Sequence, residues 1–200
     1  MTKYFLDCEF IDGGKVIDLV SIGIVSSDGR EYYAQSCEFY HPNASEWVRM
    51  NVLSHLEICP WAKVTVDKYA PYIKDIGRHE HQGQCMDRRQ WVQECPWRTR
   101  AQIKEDILAF INEAEDDIKP ELWGWCAGYD FVALCQLFGT MIDLPQGWPH
   151  YIKDLQHILD ERGISDDQLP EQEGKAHNAL EDARHIKKLW GYIVRNDAWQ

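Results

Sequence analysis

The chain has 200 residues, which is enough for one well-packed α/β domain and too few for two domains of ordinary size. Its formal charge of −12 argues against a protein that simply coats nucleic acid. An acidic nucleic-acid enzyme is still compatible with this charge, because bound divalent cations reverse the local field.

The sequence predicts neither an N-terminal signal peptide nor a membrane-spanning segment. The N-terminal sequence is too charged, and its apolar run too short, for a signal peptide, and no stretch has the length needed to span a bilayer. The seven cysteines, an odd number, suggest a reducing compartment. We therefore expect a cytoplasmic protein that does not associate with membranes.

The first part of the chain predicts three strands and one helix. The β-rich segments are joined by short turns at Gly13-Gly14 and Gly29, which favour an antiparallel meander. The predicted strands are residues 3–11, 16–26 and 30–40, and the predicted helix is residues 43–56.

Residues 57–97 show no sustained period and predict an insertion within a single domain of residues 1–200. Regular patterns return at Thr99, where Thr99 and Gln102 form a capping-box pattern ahead of a helical apolar stripe. The elements predicted after it are a strand at 121–127, helices at 129–138, 151–162 and 179–194, and a polar loop at 163–174. Strands first and then strands mixed with helices predict an α/β fold with a mixed sheet.

Asp7 and Glu9 interrupt an otherwise apolar strand and, two residues apart, share one face of it. One alternative is an edge strand with a solvated face, but Phe5 and Ile11 share that face and make a wet edge an awkward fit. The other alternative is a functional carboxylate pair.

Asp182 lies on the apolar stripe of the last predicted helix, four residues before Ile186. A buried carboxylate needs compensation, either from a salt bridge or from a metal ion. His177 stands just before this helix, whose predicted N-cap is Asn178. Asp130 follows a strand at the start of a helix, where it is either an N-cap or part of a site beyond the strand's carboxyl end.

Together these motifs resemble the DEDDh 3′–5′ exonucleases, and most closely the RNase T-like 3′–5′ exoribonucleases. The resemblance rests on Asp7-x-Glu9, on Asp130 after a middle strand, and on His177-x4-Asp182, and it covers roughly residues 3–56 and 98–190. It implies an RNase H-like α/β fold, a mixed sheet flanked by helices.

The same resemblance implies a two-metal site with Mg²⁺ or Mn²⁺. Asp7 would bridge both cations, Glu9 and Asp182 would hold the cation that activates water, and Asp130 would serve the second. His177 would take the proton from the attacking water, a task suited to an imidazole. The product would be a nucleoside 5′-monophosphate.

The implied partner is the 3′ end of single-stranded RNA, with DNA as the alternative substrate. The sequence leaves the oligomeric state open, and a homodimer is one candidate assembly, because relatives are often dimers. Phe10 and Ile11 would pack against the terminal base or sugar. A rival from another class is a catalytically silent nucleic-acid-binding module, against which the complete set of five catalytic positions weighs.

Residues 60–104 contain nine basic and five acidic residues, interspersed with aromatics. Basic groups with aromatic platforms are typical of single-strand binding, so Arg88 and Arg89 are candidate substrate contacts. Two alternatives remain: an insertion that packs its aromatics on the body, and a zinc site. The zinc candidates are Cys59, His79, His81, Cys85 and Cys95.

Overall fold

Strand β1, which carries Asp7 and Glu9, lies inside a six-stranded sheet of order β4-β3-β2-β1-β5-β6. The computed structural model describes residues 2–57, 95–112 and 119–195. The strands are Lys3–Asp12 (β1), Ile17–Ser26 (β2), Glu31–Ser36 (β3), Trp97–Arg98 (β4), Glu121–Gly124 (β5) and Lys153–Asp154 (β6). The first three form the predicted antiparallel meander, and each of the other three pairs in parallel with its neighbour.

Helices flank this mixed sheet, which confirms the predicted α/β fold class and is consistent with an RNase H-like architecture. The described α-helices are Glu46–Asn51 (α1), Arg100–Asn112 (α2), Gly128–Phe138 (α3), Leu155–Arg162 (α4) and Ala179–Arg195 (α5). The capping box at the start of α2 is confirmed, because Thr99 and Gln102 exchange side-chain-to-backbone hydrogen bonds. Asn178 caps α5 as predicted by accepting from two backbone N–H groups of its first turn.

The two faces of the sheet bury different helices. On one face, Tyr4, Leu6 and Cys8 of β1 belong to a core cluster that includes apolar residues of α2 and α3. On the other face, Phe5 packs in a cluster with residues of α4 and α5. Ile11, further along the same face, packs in a separate cluster that includes Val52 at the end of α1. Asp7 and Glu9 therefore lie between the part of this face covered by α5 and the part covered by α1.

The predicted helix at 43–56 is wrong in extent. The structure has short 3-10 turns at His41–Asn43 and Leu53–His55, with only the six residues of α1 between them. Ser45 caps α1 by accepting from the N–H of Val48, which starts the helix later than the apolar pattern suggested.

The predicted helix at 151–162 begins too early, and a strand was missed. Lys153–Asp154 pairs with Trp123–Gly124 as β6, and α4 begins only at Leu155 because Asp154 is its N-cap. Strand β4 was also missed. Like β6 it has only two residues, which are too few to show a period.

Most of the predicted insertion at 57–97, including Arg88 and Arg89, lies outside the described residues. The same holds for four of the zinc candidates, Cys59, His79, His81 and Cys85. The fifth, Cys95, is buried in a small cluster with Cys37 and Trp97.

Candidate active site

Asp7 and Glu9 lie on a central strand, which excludes the edge-strand alternative. Strand β1 is hydrogen-bonded to β2 on one side and to β5 on the other. Phe5 and Ile11, which share the face of the two acids, are each only 1% exposed. The two carboxylates therefore sit in an apolar surrounding, where ionised groups require compensation.

Helix α5 reaches this strand because a glycine lies beneath its first turn. Gly23 of β2 pairs with Asp7, and a Cβ at Gly23 would lie 2.2 Å from the carbonyl oxygen of Ala179. The missing side chain thus lets the first turn of α5 rest on the sheet backbone. As a result, ligand oxygens of Asp7, Glu9 and Asp182 all lie within 4.8 Å of one another.

Asp130 approaches the same group from α3. Its Oδ1 accepts a hydrogen bond of 2.8 Å from the backbone N–H of Cys8, the residue between Asp7 and Glu9. The N-cap of α3 is Ala127, so the N-cap alternative for Asp130 is wrong. Its charge is the largest electrostatic influence on Asp7, after burial. The four predicted carboxylates therefore form one cluster.

The acidity of the cluster reflects crowding as well as burial. Burial raises the pKa of Asp7 well above its usual value, and the charges of Asp130, Asp182 and Glu9 raise it further. Burial, with Asp182 and Asp130, raises the pKa of Glu9 to about 8. Burial also raises the pKa of Asp130 to about 6, against the Cys8 hydrogen bond, which lowers it. Ionising all four acids is thus unfavourable unless cations bind.

His177 begins the approach to α5 and lies close to this cluster. Its backbone adopts φ +63°, the left-handed region that non-glycine residues seldom occupy. The positive charge of its imidazolium would lower the pKa of Asp182, which burial raises. Its ring meets the ring of Trp47 edge to face, with centroids 4.8 Å apart. Trp47 belongs to α1 and is 54% exposed, so it supports the imidazole from the solvent side.

Two site residues were missed from the sequence. Gln172 donates from Nε2 to Oδ1 of Asp182 at 2.5 Å, and it lies in a polar loop that offers no pattern to single it out. Trp47 carried no signal in the sequence either, because its exposure on the short helix is visible only in the structure. A cavity of about 350 Å³ adjoins Asp7 and Asp182, with Gln172, Trp125 and His185 among its walls.

The donor set suits hard divalent cations. Asp7, Glu9 and Asp182 offer three carboxylate oxygens close enough to share one ion, and Asp130 adds a fourth acid. Oxygen-only ligands favour Mg²⁺ or Mn²⁺ over zinc. The raised pKa values of Asp7 and Glu9 show that the negative charges of the cluster repel one another, and bound cations would relieve this repulsion.

Of the two predicted substrate contacts on β1, Phe10 is accessible to solvent and Ile11 is not. Phe10 is half-exposed, and its ring lies 5.9 Å from that of Tyr129, an exposed residue of α3. Ile11 is buried, and its side chain packs in the cluster with Val52, away from the surface.

Comparison with known proteins gives the class of the molecule. A model of the 3′–5′ exoribonuclease Rv2179c-like domain matches residues 78–194, which include part of the predicted insertion. Two relatives from Mycobacterium tuberculosis strains, the 3′–5′ exoribonucleases MT2234.1 and Rv2179c, are each 35% identical over 196 residues. That match spans 98% of this chain and 95% of each relative. The chain therefore belongs to the Rv2179c-like 3′–5′ exoribonuclease family and is a 3′–5′ exonuclease by class.

None of the helices in the described part of the chain combines the length and the apolar character that crossing a membrane requires.

Proposed function

We propose that this protein removes nucleoside 5′-monophosphates, one at a time, from the 3′ end of single-stranded RNA or of 3′ overhangs, with the help of two divalent cations. The family of the chain supports the direction and the RNA substrate. The observation that carries the chemistry is the convergence of Asp7, Glu9 and Asp182 within 4.8 Å, beside Asp130 and His177.

The carboxylates would hold the cations. Asp7, Glu9 and Asp182 would bind one ion, and Asp7 with Asp130 would bind the second. When bound, two Mg²⁺ or Mn²⁺ ions would stabilise the attacking and leaving oxygens of an in-line displacement at phosphorus. Gln172 would keep Asp182 oriented through its amide hydrogen bond.

His177 would accept a proton from the water that attacks the terminal phosphodiester. The new bond would join the water oxygen to phosphorus, and the bond between phosphorus and the 3′ oxygen of the remaining strand would break. That oxygen would leave with the bonding electron pair and take up a proton from solvent to become a 3′ hydroxyl. Trp47 would hold the imidazole for this transfer by its edge-to-face contact. The partly exposed rings of Phe10 and Tyr129 offer surfaces on which bases of a single strand can stack.

The test uses a 5′-labelled single-stranded RNA, a DNA of the same sequence and an RNA duplex with a 3′ overhang. Each is incubated with Mg²⁺, Mn²⁺ or EDTA. We expect a ladder of products that shorten from the 3′ end, nucleoside 5′-monophosphates by chromatography, and no reaction in EDTA.

The test variant is Asp7→Ala, and its control is Asp12→Asn. Asp7→Ala should be inactive, whereas Asp12→Asn, at the exposed end of the same strand, should keep its activity. Internal cleavage, nucleoside 3′-monophosphates or full activity in EDTA would contradict the mechanism. Faster degradation of the DNA would instead show that the preferred substrate is DNA and not RNA.

A further inference from the structure

Asp154, at the end of β6, binds the starting regions of two different helices through one carboxylate. Its Oδ1 accepts from the N–H of Cys126 at 3.0 Å and from the N–H of Gln156 at 2.9 Å. Its Oδ2 accepts from the N–H of Ala127 at 2.8 Å. A carboxylate suits this position because it accepts hydrogen bonds on both oxygens and donates none.

The turn held by Asp154 is tightly constrained. Strand β5 ends at Gly124, which pairs with Asp154 in the sheet. Cys126 then adopts φ +49°, and a Cβ at Gly124 would lie 2.3 Å from the Cβ of Ala127. Ala127 is the N-cap of α3 and has no side-chain bond with which to cap its own helix. Asp154 instead holds the residues just before the helix, because it accepts from the N–H groups of Cys126 and Ala127.

This turn leads directly to Asp130. The N–H of Phe131 donates to the carbonyl of Ala127 at 3.0 Å, so the first turn of α3 is built on the residue that Asp154 holds. Asp130 lies in that turn and reaches the N–H of Cys8 on β1. A displacement at Ala127 would therefore move Asp130 relative to Asp7.

We propose that Asp154 is a positioning residue that fixes the turn at 125–127 and thereby places Asp130 to hold the second divalent cation together with Asp7. The inference rests on the proposed two-cation function. In this role Asp154 acts through Asp130 and not on the substrate or the reacting atoms. Residues that orient metal ligands contribute roughly 10–100-fold to metal affinity.

The test is calorimetric titration of Mn²⁺ into the wild-type protein and into Asp154→Asn, without substrate. The asparagine can keep one oxygen for Cys126 and Gln156, so α4 stays capped, but it places an amide nitrogen against the N–H of Ala127. We expect the wild type to bind two ions and Asp154→Asn to bind the second about 10–100-fold more weakly, with the first unchanged. In RNA hydrolysis kcat should fall, KM should change little, and added Mn²⁺ should restore part of kcat.

Two matched variants separate this role from charge and from stability. Asp160→Asn removes the charge of an exposed acid on α4 and should bind both ions as the wild type does. Gly163→Ala strains the left-handed residue that ends α4 (φ +64°) and lowers the unfolding temperature without touching the turn at 125–127. It should also bind both ions.

Normal binding of both ions by Asp154→Asn, with a loss of stability like that of Gly163→Ala, would reduce Asp154 to a helix cap and overturn the proposal. If Asp154→Asn does not fold, Asp154→Glu retains the acceptors on a longer side chain and should weaken the second ion alone. A wild-type protein that binds no cation and degrades no RNA overturns the proposed function and this inference together. A wild type that is active alongside a normal Asp154→Asn overturns only the inference.

Discussion

At the scale of single residues, Asp7 bears the most crowded charge of the site. Partial burial of its carboxyl and the charges of three other acids nearby together raise its pKa. We expect Asp7→Asn to lower the rate of RNA hydrolysis by at least about 10³-fold, because the ligand shared by both proposed cations is lost. In EDTA the same variant should unfold at a higher temperature than the wild type, because one repelled charge is removed. Single-turnover assays and thermal unfolding measure the two effects, and a wild-type rate would refute the role.

Trp47 should affect the rate of hydrolysis indirectly, through its contact with His177. Loss of the proposed general base in His177→Ala should cost about 10²–10⁴-fold in rate, the usual share of a positioned base. Trp47→Ala removes only the edge-to-face support, so we expect about a tenfold loss in kcat, with Trp47→Phe closer to the wild type.

The matched control is Tyr40→Ala, which removes an exposed aromatic whose ring contacts His41 rather than His177. It should keep the wild-type kcat. If Trp47→Ala raises KM and spares kcat, Trp47 binds RNA and does not orient the base.

Some residues of the site could be predicted from the sequence more readily than others. Asp7, Glu9 and Asp182 stand out because each places a carboxylate within an apolar pattern, and the structure brings these three together. Asp130 could be suspected only from its place after a strand, since any helix start accommodates an Asp. Gln172 and Asp154 could not be found, because their roles depend on contacts between segments that no local period records.

At the scale of elements, the approach of α5 to β2 decides whether the site assembles. A methyl group at Gly23 would collide with the carbonyl of Ala179, which is backbone and cannot swing aside. We expect Gly23→Ala to destabilise the fold by about 1–3 kcal/mol and to lower the rate at least about 10²-fold, because Asp182 moves away from Asp7.

The control for Gly23→Ala is Gly191→Ala, which lies on α5 itself. A Cβ there meets open space, so this variant should be as active as the wild type and up to about 1 kcal/mol more stable. Denaturant unfolding measures the stability of both variants, and initial rates on one RNA measure their activity. A Gly23→Ala protein with wild-type activity would show that the helix position is not critical.

The elements themselves were predicted well where the pattern is long. Strands β1 and β2 and helices α3 and α5 match to within two residues at each end, because each presents several periods of apolar residues. The two-residue strands β4 and β6 could not be predicted, since they are defined by a neighbouring strand rather than by their own sequence. The helix at 43–56 failed because the N-cap Ser45 and the 3-10 turns interrupt an apolar pattern that continues through them.

At the scale of the whole molecule, the carboxylate cluster should make stability depend on both pH and cations. The pKa of Glu9 is raised from an ordinary value of 4.5 to about 8, so its ionisation costs folding free energy. The penalty is absent below the unfolded value, grows as the pH rises between the two values, and is complete above about 8. Without cations, the unfolding temperature should therefore fall between pH 5 and pH 8 on account of this cluster.

Added Mg²⁺ should offset that loss, and its stabilising effect should be larger at pH 8 than at pH 5. We expect an increment of several °C at pH 8, since about 1 kcal/mol corresponds to roughly 2–4 °C in a chain of this size. Thermal unfolding in Mg²⁺ and in EDTA at both pH values measures it. Glu9→Gln should shrink the difference, and an equal increment at both pH values would contradict the account.

The first turn of α5 rests on β2 at Gly23, so residues near the two ends of the sequence meet in one site. This arrangement has a consequence for synthesis. A chain emerging from the ribosome grows by about 5–20 residues per second, and its sheet can begin to pair long before residues 177 and 182 exist. His177, the proposed proton acceptor, and Asp182 arrive only with α5 and the turn before it. The growing polypeptide should therefore be unable to cut RNA until residues 177 and 182 have been made and have left the ribosome.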